Sequence, residues 1–258
     1  MVPGLSHTND GAIRHVITSD QTNYNVGSAV FGAGGLADPV ALTCIVPAAV
    51  TVNSAKTGAG SFSVPAGPAA LNLNDFALGS LVVLVVAGKI KGAGGSGGRG
   101  ATNGSPTYTH AGGGGGAGDL PGLGADQLGQ DGVAATFGAG STPVAAILGH
   151  PATGTTGLPG EHGGHAVEAD SSCNLLVYNR GEIWGGGGGG GGGDGVGAAA
   201  GTDAGDGGLP GESGEIVPGA GGPAGYAVRC SEGGPNGTGQ AGIVQENTGT
   251  IKVTVDWP

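Results

Sequence analysis

The chain has 258 residues, of which 64 are glycine and 15 are proline, while aromatic residues make up only 4 % and charged residues 10 %. The formal net charge of −11 argues against nucleic acid and against an anionic membrane surface as partners, because both would repel the chain. Glycine and proline at this level without a strict repeat are typical of disorder, which is the alternative that composition alone favours.

Residues 1–87 contain only 10 of the glycines and predict a β-rich domain. The strand-like runs are 15–18, 42–46, 50–52 and 81–86, and the last is the strongest because it is rich in β-branched residues and bounded by glycine. Between the first two runs, Thr22 or Asn23 could cap a short helix that continues to Phe31. We expect little other helix. The first residues lack a basic start followed by an apolar run, so we expect no signal peptide.

Residues 88–242 contain 53 glycines, and residues 243–258 contain one. These shifts in composition divide the chain into an attachment domain (1–87), a glycine-rich region with inserts (88–242) and a closing strand (243–258). The three cysteines are far apart and form no CxxC pair, which favours a reducing compartment over a disulfide framework or a zinc knuckle.

A short unit recurs along the chain as GKIK at 88–91, GEIW at 181–184 and GTIK at 249–252. Each copy follows an apolar strand, at 81–86, at 175–178 and, more weakly, at 243–244. The first two copies run into glycine, and the third runs into a final strand at 253–257. Repetition of such a unit predicts layers that stack on one another.

The longest glycine run, Gly185 to Gly193, cannot form a stable α-helix, since each glycine costs about 1 kcal/mol relative to alanine. The run can instead form a polyglycine-II helix. The N–H and C=O groups of such a helix point outward and can bond to several neighbouring segments. Ordering the backbone costs about 1–2 kcal/mol per residue, and each hydrogen bond returns about 0.5–1.5 kcal/mol net. The array therefore needs apolar strands to anchor it. Collagen is excluded, because its every-third glycine is missing from 101–111.

The stretch 174–184 (NLLVYNRGEIW), followed by polyglycine, resembles glycine-rich bacteriophage tail proteins, and 18–28 resembles the segment that opens many of them. The resemblance implies a mainly β fold with polyglycine-II helices, in which an N-terminal β-rich domain precedes a stacked β/polyglycine-II region. It also implies a virion protein of the phage tail, made in the host cytoplasm. Its partners would be other tail or baseplate proteins, bound through the N-terminal domain, and a homotrimer is a further option.

Related distal tail-fibre adhesins of T-even-like phages recognise a host receptor through loops that join polyglycine-II helices. By that analogy the receptor, an outer-membrane protein or a polysaccharide, would contact the inserts at 106–110, 120–165, 203–218 and 226–236. Aromatic and imidazole side chains on rigid loops suit sugar or protein recognition. The candidate receptor-binding residues are Tyr108, His110, His162, His165 and Tyr226.

Motifs for other chemistry are weak. The GxGxxG match at 92–97 is expected by chance in glycine-rich sequence, and no amphipathic helix follows it. His162 and His165 lie three residues apart beside Glu161, but the intervening glycines disfavour the helix that a zinc site would need. The sequence therefore predicts no enzyme, no cofactor and no metal. The leading hypothesis is a tail-tip adhesin; the alternatives are a purely structural baseplate component and, far behind, a metal-dependent hydrolase.

Overall fold

The computed structural model of the chain describes residues 5–7, 12–32, 37–55, 68–95, 160–170, 173–188, 213, 222–230, 243–247, 250–252 and 255–256. Strand accounts for 42 % and helix for 6 % of its confident regions, which confirms the prediction of a mainly β protein with very little helix.

The elements in chain order are β1 (Leu5–His7), β2 (Ile13–Val16), β3 (Gln21–Thr22), β4 (Tyr24–Asn25), α1 (Val26–Phe31), β5 (Ala41–Val46), β6 (Thr51–Asn53), β7 (Leu71–Asn72), β8 (Ser80–Val86), β9 (Lys89–Lys91), β10 (Val167–Ala169), β11 (Cys173–Asn179), β12 (Glu182–Trp184), β13 (Val228–Cys230), β14 (Ile243–Asn247), β15 (Thr250–Lys252) and β16 (Val255–Asp256).

The strands form three sheets that the chain visits in rotation. The first sheet has the order β1-β2-β5-β8-β11-β14, the second β15-β12-β9-β6-β3 and the third β16-β13-β10-β7-β4. Each turn of the chain contributes one strand to every sheet, as in β8, β9 and β10. All neighbouring strands are parallel except β1, which pairs antiparallel with β2. The architecture is a parallel β-solenoid with three faces.

The interior of the solenoid is formed by side chains at equivalent positions in successive coils. In the second sheet Ile90 lies in register with Val52 on one side and Ile183 on the other, and Ile183 is in register with Ile251. Val52, Ile90 and Ile183 are fully buried. The recurring isoleucine of the sequence unit is thus a stacked core residue, and the stacked layers predicted from that unit are present. β8 shows the alternation clearly, since every second residue from Ser80 to Val86 is buried.

Several element boundaries differ from the predicted ones. The strand expected at 15–18 is Ile13–Val16. The helix is capped by Asn25, whose side chain accepts a hydrogen bond from the Ser28 amide, and not by Thr22 or Asn23. Asn23 instead occupies the corner between β3 and β4, at a φ of 50°. Of the final strand expected at 253–257, the structure describes β16 at Val255–Asp256, in the third sheet, while residues 253, 254 and 257 lie outside the described residues. The predicted boundary at residues 87 and 88 falls between β8 and β9, which belong to one coil. A separate attachment role for residues 1–87 stays a prediction.

Glycine-rich sequence leaves the solenoid at one corner, between a strand of the second sheet and the next strand of the third. Four glycine segments lie there. The first (92–95) follows β9, the second (160–166) precedes β10, the third (185–188) follows β12 and the fourth (222–227) precedes β13. The rest of the predicted run, Gly189 to Gly193, lies outside the described residues.

Backbone hydrogen bonds join these segments in more than two directions. From the second segment, the amide of Gly164 donates to Ala93 in the first at 2.7 Å. The carbonyl of Gly164 accepts from Gly186 in the third at 2.9 Å. The second segment also bonds to the fourth, where the Gly163 amide donates to the Pro223 carbonyl at 2.9 Å. A strand in a sheet has only two hydrogen-bonded neighbours, so the four segments do not form an ordinary sheet.

The segments pack so closely that most of their glycines leave no room for a side chain. A Cβ on Gly186 would lie 1.8 Å from the Ala93 carbonyl oxygen, and one on Gly225 would lie 1.9 Å from the Gly164 carbonyl oxygen. Gly164 is less constrained, because its nearest contact would be the Ala93 nitrogen at 3.0 Å. Direct backbone contact therefore explains the glycine composition of the described segments.

We expect Gly186→Ala to lower the free energy of unfolding by about 2–6 kcal/mol, because the added carbon must push apart segments whose buried hydrogen bonds then break. The matched variant Gly164→Ala should cost well under half as much, since its Cβ needs only a small shift. Chemical denaturation of both variants measures the difference. Equal stability of the two variants would contradict backbone-to-backbone packing at Gly186.

Candidate functional site

Three of the predicted receptor-binding residues come together where the second and fourth glycine segments enter the third sheet. The ring centroids of His162 and His165 lie 5.4 Å apart, and that of Tyr226 lies 5.3 Å from His165 and 6.5 Å from His162. Their meeting follows from the parallel register, since β10 and β13 pair Val167 with Val228 and so bring the residues just before them side by side. His165 is buried, whereas His162 and Tyr226 are partly exposed.

A charged pair continues the cluster along the outer face of the third sheet. Glu168 and Arg229 are register partners, and the Arg229 Nη1 atom lies 3.5 Å from Glu168 Oε1. The same Nη1 atom is 3.1 Å from His165 Nε2. We refer to His162, His165, Tyr226, Glu168 and Arg229 together as the corner cluster.

Hydrogen bonding fixes the protonation of His165. The Tyr226 backbone amide donates to His165 Nδ1 at 3.0 Å, so in the neutral ring the proton resides on Nε2. That N–H then faces the Arg229 guanidinium, so the 3.1 Å contact joins two donors and is not a hydrogen bond. Burial lowers the pKa of His165 to about 3, and the charge of Arg229 and the nearby His162 add to the effect, so the ring is neutral near pH 7.

His162 has a complementary arrangement. Its Nδ1 atom lies 2.6 Å from the Gly163 carbonyl oxygen and acts as the donor there, which leaves Nε2 as an acceptor in the neutral ring. Burial lowers the pKa of His162, while the hydrogen bond to Gly163 opposes that shift. The corner cluster thus combines a donor pair, an acceptor and partly exposed rings. Such a set suits a ligand with a ring face and several hydroxyl or carbonyl groups.

The structure brings together only part of the predicted site. Tyr108 and His110 lie outside the described residues. Glu168 and Arg229 were not among the candidates, although a signal for them exists. The sequence HAVEA at 165–169 aligns with YAVRC at 226–230, and this local repeat places the two charges at equivalent positions of neighbouring coils.

The outer face of the second sheet carries another charged group. Lys91 Nζ lies 4.2 Å from the ring centroid of Trp184 and 3.9 Å from Glu182 Oε2. Lys89 Nζ is 3.4 Å from Glu182 Oε1. Trp184 ends β12 and is partly buried. The contacts bind successive coils to one another across the sheet.

Comparison with known proteins identifies no relative of this chain. No family model, no curated protein and no solved structure matches the chain. Within the described ranges, no helix is long and apolar enough to cross a membrane. The same ranges contain no group of three or more histidine, cysteine or acidic side chains arranged to hold a metal ion.

We expect stability to fall as the pH is lowered from about 6.5 towards 3, because His165 takes up a proton in the unfolded chain but not in the folded one. The slope from one such group approaches about 1.4 kcal/mol per pH unit. His165→Asn should make the slope shallower while keeping an oxygen acceptor for the Tyr226 amide. Unfolding free energies at pH 7, 6 and 5 measure the slope, and Arg180→Gln, which removes no group that titrates in this range, is the control. An unchanged slope in His165→Asn would contradict a buried neutral ring.

Proposed function

We propose that the chain is a non-enzymatic structural protein of a phage virion, placed at the tip of a tail or tail fibre, where it binds a host receptor. The observation that carries the proposal is the junction of a β-solenoid with a backbone-bonded glycine array that starts at one of its corners. The array contains the segments that residues 96–159 and 189–221 connect in the chain. Such a scaffold suits a protein that must present loops at a fixed position while bearing mechanical load.

Polyglycine-II conformation of the glycine segments is part of the proposal. Its support is the number of neighbours: the second and the third segment each bond to three others. Three-fold helical symmetry directs N–H and C=O groups around the axis, and bonding to several neighbours then follows without side chains. The resemblance to glycine-rich phage tail proteins agrees with this conformation.

Receptor binding is proposed for the corner cluster together with Tyr108 and His110 in the insert. The partly exposed rings of His162 and Tyr226 provide apolar faces, and the Arg229 guanidinium provides directed donors. A polysaccharide or a loop of an outer-membrane protein supplies the matching hydroxyl and carbonyl oxygens. No catalytic step and no nucleic acid partner belong to this proposal, and residues 1–87 would attach the chain to other tail or baseplate proteins.

A purely structural baseplate component is the alternative, because the solenoid itself could serve as a spacer between other subunits. The position of the chain in the particle separates the two functions. Electron microscopy of virions labelled with an antibody against residues 106–110 should show label at the distal end of the tail for an adhesin. Label that appears only after the tail is disrupted would favour the enclosed structural component.

We expect Arg229→Gln and Tyr226→Leu to slow adsorption of virions to host cells by about tenfold each, since interface anchors of these types are worth about 1–2 kcal/mol. Folding should change little, because the partly exposed Arg229–Glu168 pair contributes only about 0–1 kcal/mol. Arg180→Gln, at an exposed position outside the cluster, is the matched control. Adsorption at the control's rate in both cluster variants would show that recognition lies elsewhere.

A further inference from the structure

The outer face of the first sheet is apolar, unlike the other two. On β8 the outward residues are Leu81, Val83 and Val85, which alternate with buried ones. The register partners of Val83 and Val85 on the neighbouring strands continue these positions as rows across the sheet. One row is Arg14, Thr43, Val83 and Leu176, and the next is Val16, Ile45, Val85 and Tyr178. Leu81 is 38 % exposed, and Leu78 in the turn before β8 is 77 % exposed.

Charge distinguishes this face from its neighbours. Of the outward side chains that the structure describes on β2, β5, β8 and β11, only Arg14 is charged. By contrast, the outer face of the second sheet carries the Lys89–Glu182 pair, and that of the third carries the Glu168–Arg229 pair. Solenoid faces that meet water carry such polar side chains, and a parallel sheet that is apolar on both faces is normally covered on both.

We propose that the outer face of the first sheet is a self-association surface, which packs against the same face of another copy of this chain. Two copies with a net charge of −11 each repel one another, and this face keeps the repulsion low because β2, β5, β8 and β11 present no carboxylate on it. A two-fold rotation brings the same face of two copies together. The rows of branched side chains on one copy can then pack against the identical rows on the other. Two such sheets would pack about 10 Å apart.

The size of the face sets the expected strength. Four strands about 4.8 Å apart and about six residues long give on the order of 400 Å² of projected surface for each copy. Burial of about 800–1,000 Å² in total lies at the low end for specific interfaces. We therefore expect a Kd in the micromolar range. In a virion, the location given by the proposed function, the local concentration of the chain would be high enough to saturate this association.

The mass of the full chain in solution tests the proposal, measured by light scattering and analytical ultracentrifugation between about 1 and 200 µM, a range that brackets a micromolar Kd. We expect the wild type to shift from monomer to dimer, because packing of one face against the same face of a second copy closes at two copies. The double variant Val83→Thr with Val85→Thr keeps β-branched side chains and should weaken association at least tenfold. Thr51→Glu, outward on the second sheet beside Lys89, is the matched control and should associate like the wild type.

Val83→Glu is a second variant, and it should be monomeric throughout the range. Circular dichroism of each variant confirms that the solenoid is folded before its mass is interpreted. A wild type that stays monomeric at 200 µM would overturn the proposal, because that concentration exceeds the expected Kd. Association that survives both the threonine and the glutamate substitutions would overturn it as well, since the contact would then lie on another surface.

Discussion

Direct contact between backbones is the constraint on which this structure depends. Neighbouring strands of a parallel sheet lie about 4.8 Å apart, and side chains avoid one another by pointing above and below the sheet. The glycine segments continue from stacked strands, as the first continues from β9 and the third from β12, which are neighbours in the second sheet. They therefore leave the solenoid already at the spacing where one backbone can bond to the next. The Gly92 amide, which donates to the Trp184 carbonyl at 2.7 Å, makes the first bond of this continuation.

The solenoid and the array have unequal roles in stability. In the solenoid, apolar residues of one coil bury those of the next, and Leu84 and Val177, for example, are register partners with no exposed surface. In the array, hydrogen bonds must offset the large conformational entropy that glycine loses on ordering. The array is thus stable only because each of its segments begins or ends on a strand of a packed core. This dependence also explains why its described segments lie at one corner of one solenoid.

The sequence predicted the strongest strands and the stacking, because both leave local signals. β8 and β11 are apolar runs bounded by glycine or asparagine, and the isoleucine of each repeated unit fixes the register of the second sheet. The third sheet was not predicted, since strands such as β10 and β13 have three residues each and follow glycine-rich sequence. Their pairing is set by coils that are about 60 residues apart in the chain, a relation that periodicity within one strand cannot show. For the same reason Arg229 and Glu168 were missed at the candidate site, while His162, His165 and Tyr226 were found by residue type.

Amide hydrogen exchange of the glycine segments tests the central claim most directly. Gly186 and Gly225 donate backbone hydrogen bonds within the array, so their amides should exchange at least about a thousandfold more slowly than those of an unstructured peptide. Their opening free energy should approach that of amides in β8 and β11, because the array and the solenoid are stable only together. Exchange of both amides within about tenfold of the unstructured rate, while β8 and β11 remain protected, would contradict an array held together by its backbone.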